Sequence, residues 1–374
     1  MNGDIDFLDD AYIDAANEYF RLSEPIVEAF RKETERINGD PELQRKARIY
    51  HRILVHSGDQ VQKLNAELLA MGPEAGMFAA VIYASALPSA IGLYREKGIP
   101  LSILRDTLED FDIWIRHHRE KYGVWGLSEL GWLARHFRCG IFRLGRLQFM
   151  PRTCYLKIKV FRNRDSGALV ALSDTGVAFR ADGQIDGTNG VTDPDGRWEA
   201  VYTNDGRTAS GNQIWPQGYA DRRRVELDLL QWELVLEEGD WVLDVHIPAG
   251  CPMTHGLCRD SYRQAAAFVR EYMSGRDIKA FVCHSWLLSP QLGRILPETS
   301  NIVKFQRDYR LVPVLSDDHQ LFERVFGLKT TDLSGLPRDT TLRRRVLEYL
   351  SAGNVIHGAA GFMMWNELEY NENQ

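Results

Sequence analysis

The sequence predicts an α+β protein in which a helical N-terminal part precedes a mixed α/β part. Three observations carry that expectation. Apolar residues recur at intervals of three and four from Asp6 to about Cys139. The period changes to two around Gly140. From Val225 onward, strand-like and helix-like segments alternate. The corresponding division is a helical domain over 1–139 and a second domain over 140–374, with 162–225 as a hairpin-rich insertion.

In the helical part, segments around Ile26–Ile37, Leu43–Leu69 and Met77–Tyr94 are parted by Asn-Gly, Gly-Pro and similar breakers. "FDIWIRHHREKYG" sets Phe111, Ile113, Trp114, Ile115 and Tyr122 among charges and stops at Gly123. Five or six helices are expected. The stretch Ala75–Tyr94 carries no charge and is long enough to span a bilayer. Its Ala and Ser content, with Pro88 and Gly92, favours a buried helix instead.

After Gly140, "IFRLGRLQFMP" and "CYLKIKVF" alternate apolar and polar residues and are separated at Pro151. On a continuous strand, Arg143 and Arg146 would face opposite sides. Residues 162–225 are dense in turn formers ("NRDSG", "DGQIDGTNG", "DPDGRW", "TNDGR"), yet keep enough Val, Phe, Trp and Tyr for ordered hairpins. Beyond them, "VELDLL", "WVLDVHIP", "AFVCH" and "NIVKFQRDYRLVPVL" read as strands. Thr254–Met273, Ser289–Leu296, Asp318–Phe326 and Thr341–Ser351 read as helices.

A formal charge of −7 excludes a general nucleic-acid binder, because phosphate binding needs clustered Lys and Arg. The basic runs Arg222–Arg224 and Arg343–Arg345 read as solvated faces. The five cysteines, Cys139, Cys154, Cys251, Cys258 and Cys283, are scattered and lack CxxC spacing. That pattern suits reduced thiols in a cytoplasmic protein. The opening "MNGDIDFLDD" has no apolar leader core, so neither secretion nor a membrane role is expected. The sequence leaves the oligomeric state open.

The chemistry gathers at two strand-to-helix crossings, "WVLDVHIPAGCPMTHGLC" and "AFVCHSWLLSPQLGRIL". Thr254 and Ser289 are the expected N-caps, with Pro290 at the first helical position. A right-handed crossover would bring both strand ends to one sheet edge, where open α/β sheets bind ligands. Val242, Asp244 and His246 then share one face of their strand, and Ala280, Val282 and His284 one face of theirs. Matched faces would bring two imidazoles and a carboxylate together, a general-base arrangement. The plainer alternative is a pair of half-buried histidines bonded to carbonyls.

Cys283 as a nucleophile would need His255 or His246 as its base, since His284 points to the other face. A metal site from Cys251, His255 and Cys258 fits no standard zinc spacing, and no metal is expected. Trp286 would either wall a pocket or fill the core.

"LDVHIPAG" and "FVCHSWLLSPQLGRILPETSNIVKFQRDY" resemble bacterial GNAT-like acyltransferases with a helical N-terminal domain. "FRLGRLQF" and "RVFG…LPRDTTLRRRVLEYLSAG" fit the same family in the same order. The resemblance runs from about 125 to 365, and "CHSWLL…SNI…FQR" is its most specific part. It implies a GNAT-like fold, with acetyl-CoA or another acyl-CoA lying between two splayed parallel strands. A small amine acceptor would attack the thioester directly. In that reading His284 is the first choice for base and His246 the second, with Ser285 or Cys283 orienting the carbonyl or protonating the leaving sulfur.

Thr254, Gly256, Leu257, Arg259 and Arg263 would hold the phosphates. The chain departs from the family pattern here: "PMTHGLCRDSYRQ" stands where a Q/R-x-x-G-x-G/A loop is usual. A catalytically inactive binding scaffold and a cysteine hydrolase are the competing readings.

Overall fold

The computed structural model describes residues 6–327, 330, 332–365 and 367. The chain forms two compact units. The first runs to Met150 and also takes Ile247–Pro252 and Gln264–Met273. The second takes Pro151–His246, Met253–Arg263 and the chain from Ser274 on.

In the first unit the helices are α1 (Asp10–Phe20), α2 (Glu24–Asn38), α3 (Pro41–His56), α4 (Val61–Ala70), α5 (Gly76–Ala84), α6 (Leu87–Glu96), α7 (Leu101–Tyr122) and α8 (Leu130–His136). They exceed the five or six expected because two long apolar segments break. The segment Leu43–Leu69 is interrupted at Ser57–Gln60. Met77–Tyr94 divides at Ser85–Ala86, where Ser85 Oγ donates to the Ile82 carbonyl and Pro88 opens the next helix. The uncharged stretch is core, and every residue of α5 is buried.

A hairpin of β1 (Phe142–Leu144) and β2 (Leu147–Thr153) ends this unit, and β2 carries the chain into the second. Leu144 pairs with Leu147 across a two-residue turn whose Gly145 has φ +68°. Arg143 and Arg146 therefore do not lie on one strand, contrary to the reading of "FRLGRLQF". Arg143 is buried and its Nη1 lies 2.9 Å from Glu109 of α7.

A buried polar centre ties α7 to α8. Asp110 accepts from Trp132 Nε1 at 2.8 Å and pairs with His136 Nε2 at 3.1 Å. Burial pushes its carboxyl pKa up, but hydrogen bonds from His136, Trp132 and Gln148, with the His136 charge, outweigh burial. The net value lies below the ordinary 3.8.

The second unit contains strands of two large sheets and a small two-stranded one. Its hairpin strands are β3 (Ile158–Asn163), β4 (Leu169–Ser173), β5 (Ala178–Phe179), β6 (Trp198–Glu199), β7 (Thr203–Asn204), β8 (Thr208–Trp215), β9 (Tyr219–Asp228) and β10 (Trp232–Glu237). They form a sheet in the order β10-β3-β4-β8-β7, with β9 also on β8, and a separate β5–β6 pair.

The following elements are β11 (Trp241–His246), α9 (His255–Tyr272), β12 (Ala280–Ser285), α10 (Pro290–Ile295), α11 (Asn301–Gln306), β13 (Arg310–Val312), α12 (His319–Phe326), α13 (Thr341–Ser351) and β14 (Ala359–Met364). The strands lie in the order β11-β12-β14-β13. The first pair is parallel and the others are antiparallel. One apolar core joins the two sheets: Val242, Ala280, Val282, Ala360 and Phe362 meet Ile158, Val160, Ile214 and Leu236.

The expected strand "NIVKFQRDYRLVPVL" is a helix for its first six residues and a strand only over Arg310–Val312. Ser300 starts that helix by accepting from the Ile302 N–H, which satisfies a helix-end donor that a strand would not leave.

Replacing Asp110 with Ala is expected to cost about 3 kcal/mol, since it strips one partner from a buried ion pair. Denaturant titration at neutral pH measures this. Because folding depresses the Asp110 pKa, its contribution is fully present above about pH 4 and is lost as pH falls through the folded value. A variant as stable as the parent at both neutral and acid pH would contradict this role.

Candidate active site

The parallel pairing of β11 with β12 runs Val242–Ala280, Leu243–Phe281 and Asp244–Val282 and ends there. Both strands continue, β11 to His246 and β12 to Ser285, so they part at their C-terminal ends. On its other side β12 stays paired with β14 through His284–Ala360 and Ser285–Ala359. The opening is therefore between β11 and β12 alone.

As expected from alternation, Asp244, His246 and His284 occupy the face that carries Val242 and Val282, toward the hairpin sheet. Asp244 is buried, and its Oδ2 lies 3.6 Å from His246 Nε2 and 3.3 Å from Arg152 Nη1. His284 reaches solvent. Partial desolvation lowers its pKa below 6.5, while the Asp244 carboxylate pulls in the other direction. The neutral imidazole, with a free lone pair, is thus the stable form at neutral pH. Tyr155 packs nearby under the Arg152 guanidinium. Burial, then Asp244, raises its hydroxyl pKa.

Cys283 and Ser285 lie on the opposite face, away from His284. Cys283 is fully buried and desolvation holds its thiol well above the ordinary value, so it is neither an accessible nucleophile nor a ready proton donor. Opposite it in β14 is Gly361, where a Cβ would come within 2.9 Å of Tyr309 Cβ. Ser285 is buried, and its Oγ accepts from the Leu287 N–H at 3.2 Å, capping the turn Trp286–Leu288. Its observed contact is structural, not catalytic. Trp286 is partly buried against the core of α10, α12 and α13.

At the start of α9, Thr254 Oγ1 accepts from the Leu257 N–H at 3.4 Å, as an N-cap does. Thr254, Gly256, Leu257 and Arg263 are exposed, and a Cβ on Gly256 would meet nothing within 4 Å. Arg259 is drawn back: its side chain is 13% exposed and Nη1 lies 3.6 Å from Asp308. The same carboxylate accepts from His255 Nε2 at 3.1 Å. Burial raises the Asp308 pKa, and His255 and Arg259 oppose that rise.

Sequence reasoning did not single out Arg152, Asp308, Gln306 or Tyr309. Gln306 Nε2 donates to the Leu287 and Ser289 carbonyls at 2.7 and 2.8 Å. The Tyr309 and Tyr262 hydroxyls meet at 2.9 Å. The resembling segment that ends in "FQRDY" supplied a signal for the last three residues, but no pairing partner for any of them. Among the described residues, no group of three or more His, Cys, Asp or Glu side chains is arranged to hold a metal ion.

Family comparison matches residues 141–363 to a GNAT-like C-terminal domain and residues 11–139 to an N-acyltransferase N-terminal domain. No curated protein matched the sequence. Among solved structures, an acyltransferase in complex with decanoyl-CoA is 22% identical with a TM-score of 0.62, covering 95% of this chain and 88% of that one. An acyltransferase in complex with decanoyl-CoA and teicoplanin is 20% identical with a TM-score of 0.61, covering 93% and 86%. At these identities the likeness establishes the fold.

Alkylation of the folded protein at neutral pH is expected to label the exposed Cys251 and to spare Cys283, as read by peptide mass spectrometry. Rapid labelling of Cys283 would return a thiol nucleophile to consideration.

Proposed function

Because the chain belongs to the GNAT-like acyltransferase family, we propose that it transfers an acyl group from a coenzyme A thioester to the amine of a small acceptor. The observation that carries this reading is the parting of β11 from β12 after Asp244–Val282. Backbone groups freed there can bond an extended amide-bearing donor. Neighbours seen with decanoyl-CoA and with teicoplanin support a CoA thioester donor and a small-molecule acceptor.

In this reading the donor's thioester lies between the strand ends, within reach of His284. The amine nitrogen attacks the carbonyl carbon, a C–N bond forms and the C–S bond breaks. The amine proton passes to the neutral His284 imidazole, and the CoA sulfur leaves as a thiolate. Asp244 keeps His246 in place and biases His284 toward accepting the proton. The phosphates would lie at the open first turn of α9, where Gly256 leaves room for them and the exposed Arg263 supplies charge. Arg259 would act there through its tether to Asp308. The free cysteines suit a reducing, cytoplasmic setting.

The direct test is thermal stability with acetyl-, octanoyl- and decanoyl-CoA, since a ligand of the native state raises the melting temperature. No shift with any of them would remove the donor from this reading. His284→Ala is expected to lower kcat by about two to four orders of magnitude with the fold intact. Unchanged turnover would take the base role from His284.

The acid limb of the rate profile should fall below pH 6.5, because desolvation lowers the His284 pKa. Asp244→Asn should move that limb lower still, since it removes a charge that favours protonation. A limb that moves upward in this variant would contradict the assignment.

A further inference from the structure

Acyl transfer by itself gives no task to one cation at this site. Arg152, near the end of β2, holds Nη1 3.3 Å from Asp244 Oδ2 and lays its guanidinium over the Tyr155 ring, 4.4 Å from the centroid. The two contacts fix the plane of the group. Among the described residues the bond to Asp244 is the guanidinium's only hydrogen bond, so Nε and Nη2 keep their donors. The side chain is 42% exposed, and those donors can meet solvent or substrate.

A single half-exposed ion pair contributes little to stability, so holding Asp244 does not by itself account for this cation. Asp244 also lies 3.6 Å from His246. His284 is on the neighbouring strand, two residues beyond the residue paired with Asp244. Arg152 thus stands one carboxylate away from both imidazoles.

A planar fork with an open edge matches a carboxylate, which takes two parallel N–H bonds. Asp244 neutralises the pair and repels a second anion in proportion to its charge, so the open donors suit a monoanion held by paired N–H bonds better than a phosphate dianion.

We propose that Arg152 receives a carboxylate of the acceptor, and that the acceptor is an amino acid or a related amine bearing a carboxylate near its nitrogen. This rests on the acyl-transfer reading and adds the acceptor's chemical class. Arg152 binds and orients the acceptor; His284 takes the proton.

The experiment uses the full chain with acetyl-, octanoyl- and decanoyl-CoA and follows thiol release. Acceptors are a panel of amino acids, each paired with its C-terminal amide. The parent protein is expected to favour the acid over the amide by about ten- to a hundredfold in kcat/KM, the scale of a charge-assisted bond. Arg152→Gln should bring that ratio close to one, with the loss appearing in KM for the acid. Arg152→Lys, which keeps the charge but not the fork, should give an intermediate ratio and carries the test if the Gln variant does not fold.

Equal use of acids and amides by the parent, or a preference that survives in both variants, overturns the proposal. So does an acyl-CoA-stabilised protein that transfers to none of the acids. If no acyl-CoA stabilises the protein or reacts, the acyl-transfer reading itself fails, and the acceptor assignment falls with it.

Discussion

β12 is held on one side and released on the other. Six residue pairs bind it to β14 along its whole length, whereas its pairing to β11 ends after three. Backbone donors and acceptors buried without partners are costly, so strands do not part inside a sheet unless something takes up the freed groups. The antiparallel partner keeps His284 fixed in the sheet, and β11 departs. The opening therefore has one rigid wall, which carries His284, and one wall that ends in His246 and leads toward α9. Most of the arrangement around the site serves to hold those two walls.

The C-terminal end of α11 and the turn that follows it fasten both sides. Gln306 donates to the carbonyls of Leu287 and Ser289, which follow β12. Two residues later Asp308 takes His255 and Arg259 on the first turns of α9, and Tyr309 meets Tyr262 one turn further along. Buried polar groups of this kind are expensive unless fully matched, and each of these has a partner. This explains in physical terms why "FQRDY" looks like a signature: Gln306 binds the exit of one strand, and Asp308 and Tyr309 bind the helix that follows the other. It also places charge where a glycine-rich loop would otherwise bring bare backbone.

Much of this was legible from residue order alone. The change of period at Gly140, the cap at Thr254, and the common face of Asp244, His246 and His284 follow from local rules, and the structure bears them out; Ser289 takes the N-cap position but its hydroxyl donates to Gln291 rather than capping the helix. What escaped depended on long-range partners. β14 reads "AAGFMM", half of it Ala and Gly, which are depleted in strands, and it is a strand through its pairing with β12 and β13. Its Gly361 has no local signal; Tyr309 makes it necessary. "NIVKFQ" carries β-branched residues that suit a strand, and the Ser300 cap decides for a helix. In "FRLGRL", a glycine between two apolar pairs was a hairpin signal that the alternation concealed. Arg152 lies beyond any motif, since its meaning comes from Asp244, ninety-two residues away.

The strict alternation of β12 divides its labour. Ala280, Val282 and His284 face the hairpin sheet, where apolar packing gives way at the strand end to Asp244 and solvent. Phe281 and Cys283 face the other way, where Tyr262 stacks edge-on against Phe281 and Cys283 is sealed. Slipping β12 by one residue against β14 would exchange the two sets, burying the imidazole and exposing the thiol. The six-pair register with β14 and the packing of Phe281 against Tyr262 hold the observed set in place. On that sealed face Gly361, opposite Cys283, leaves room for Tyr309, and the small Ala360 stands opposite His284 in the same register. The placement of His284 is thus set by the register of its strand, and the three side chains of the "CHS" triplet can be told apart only by the face each occupies.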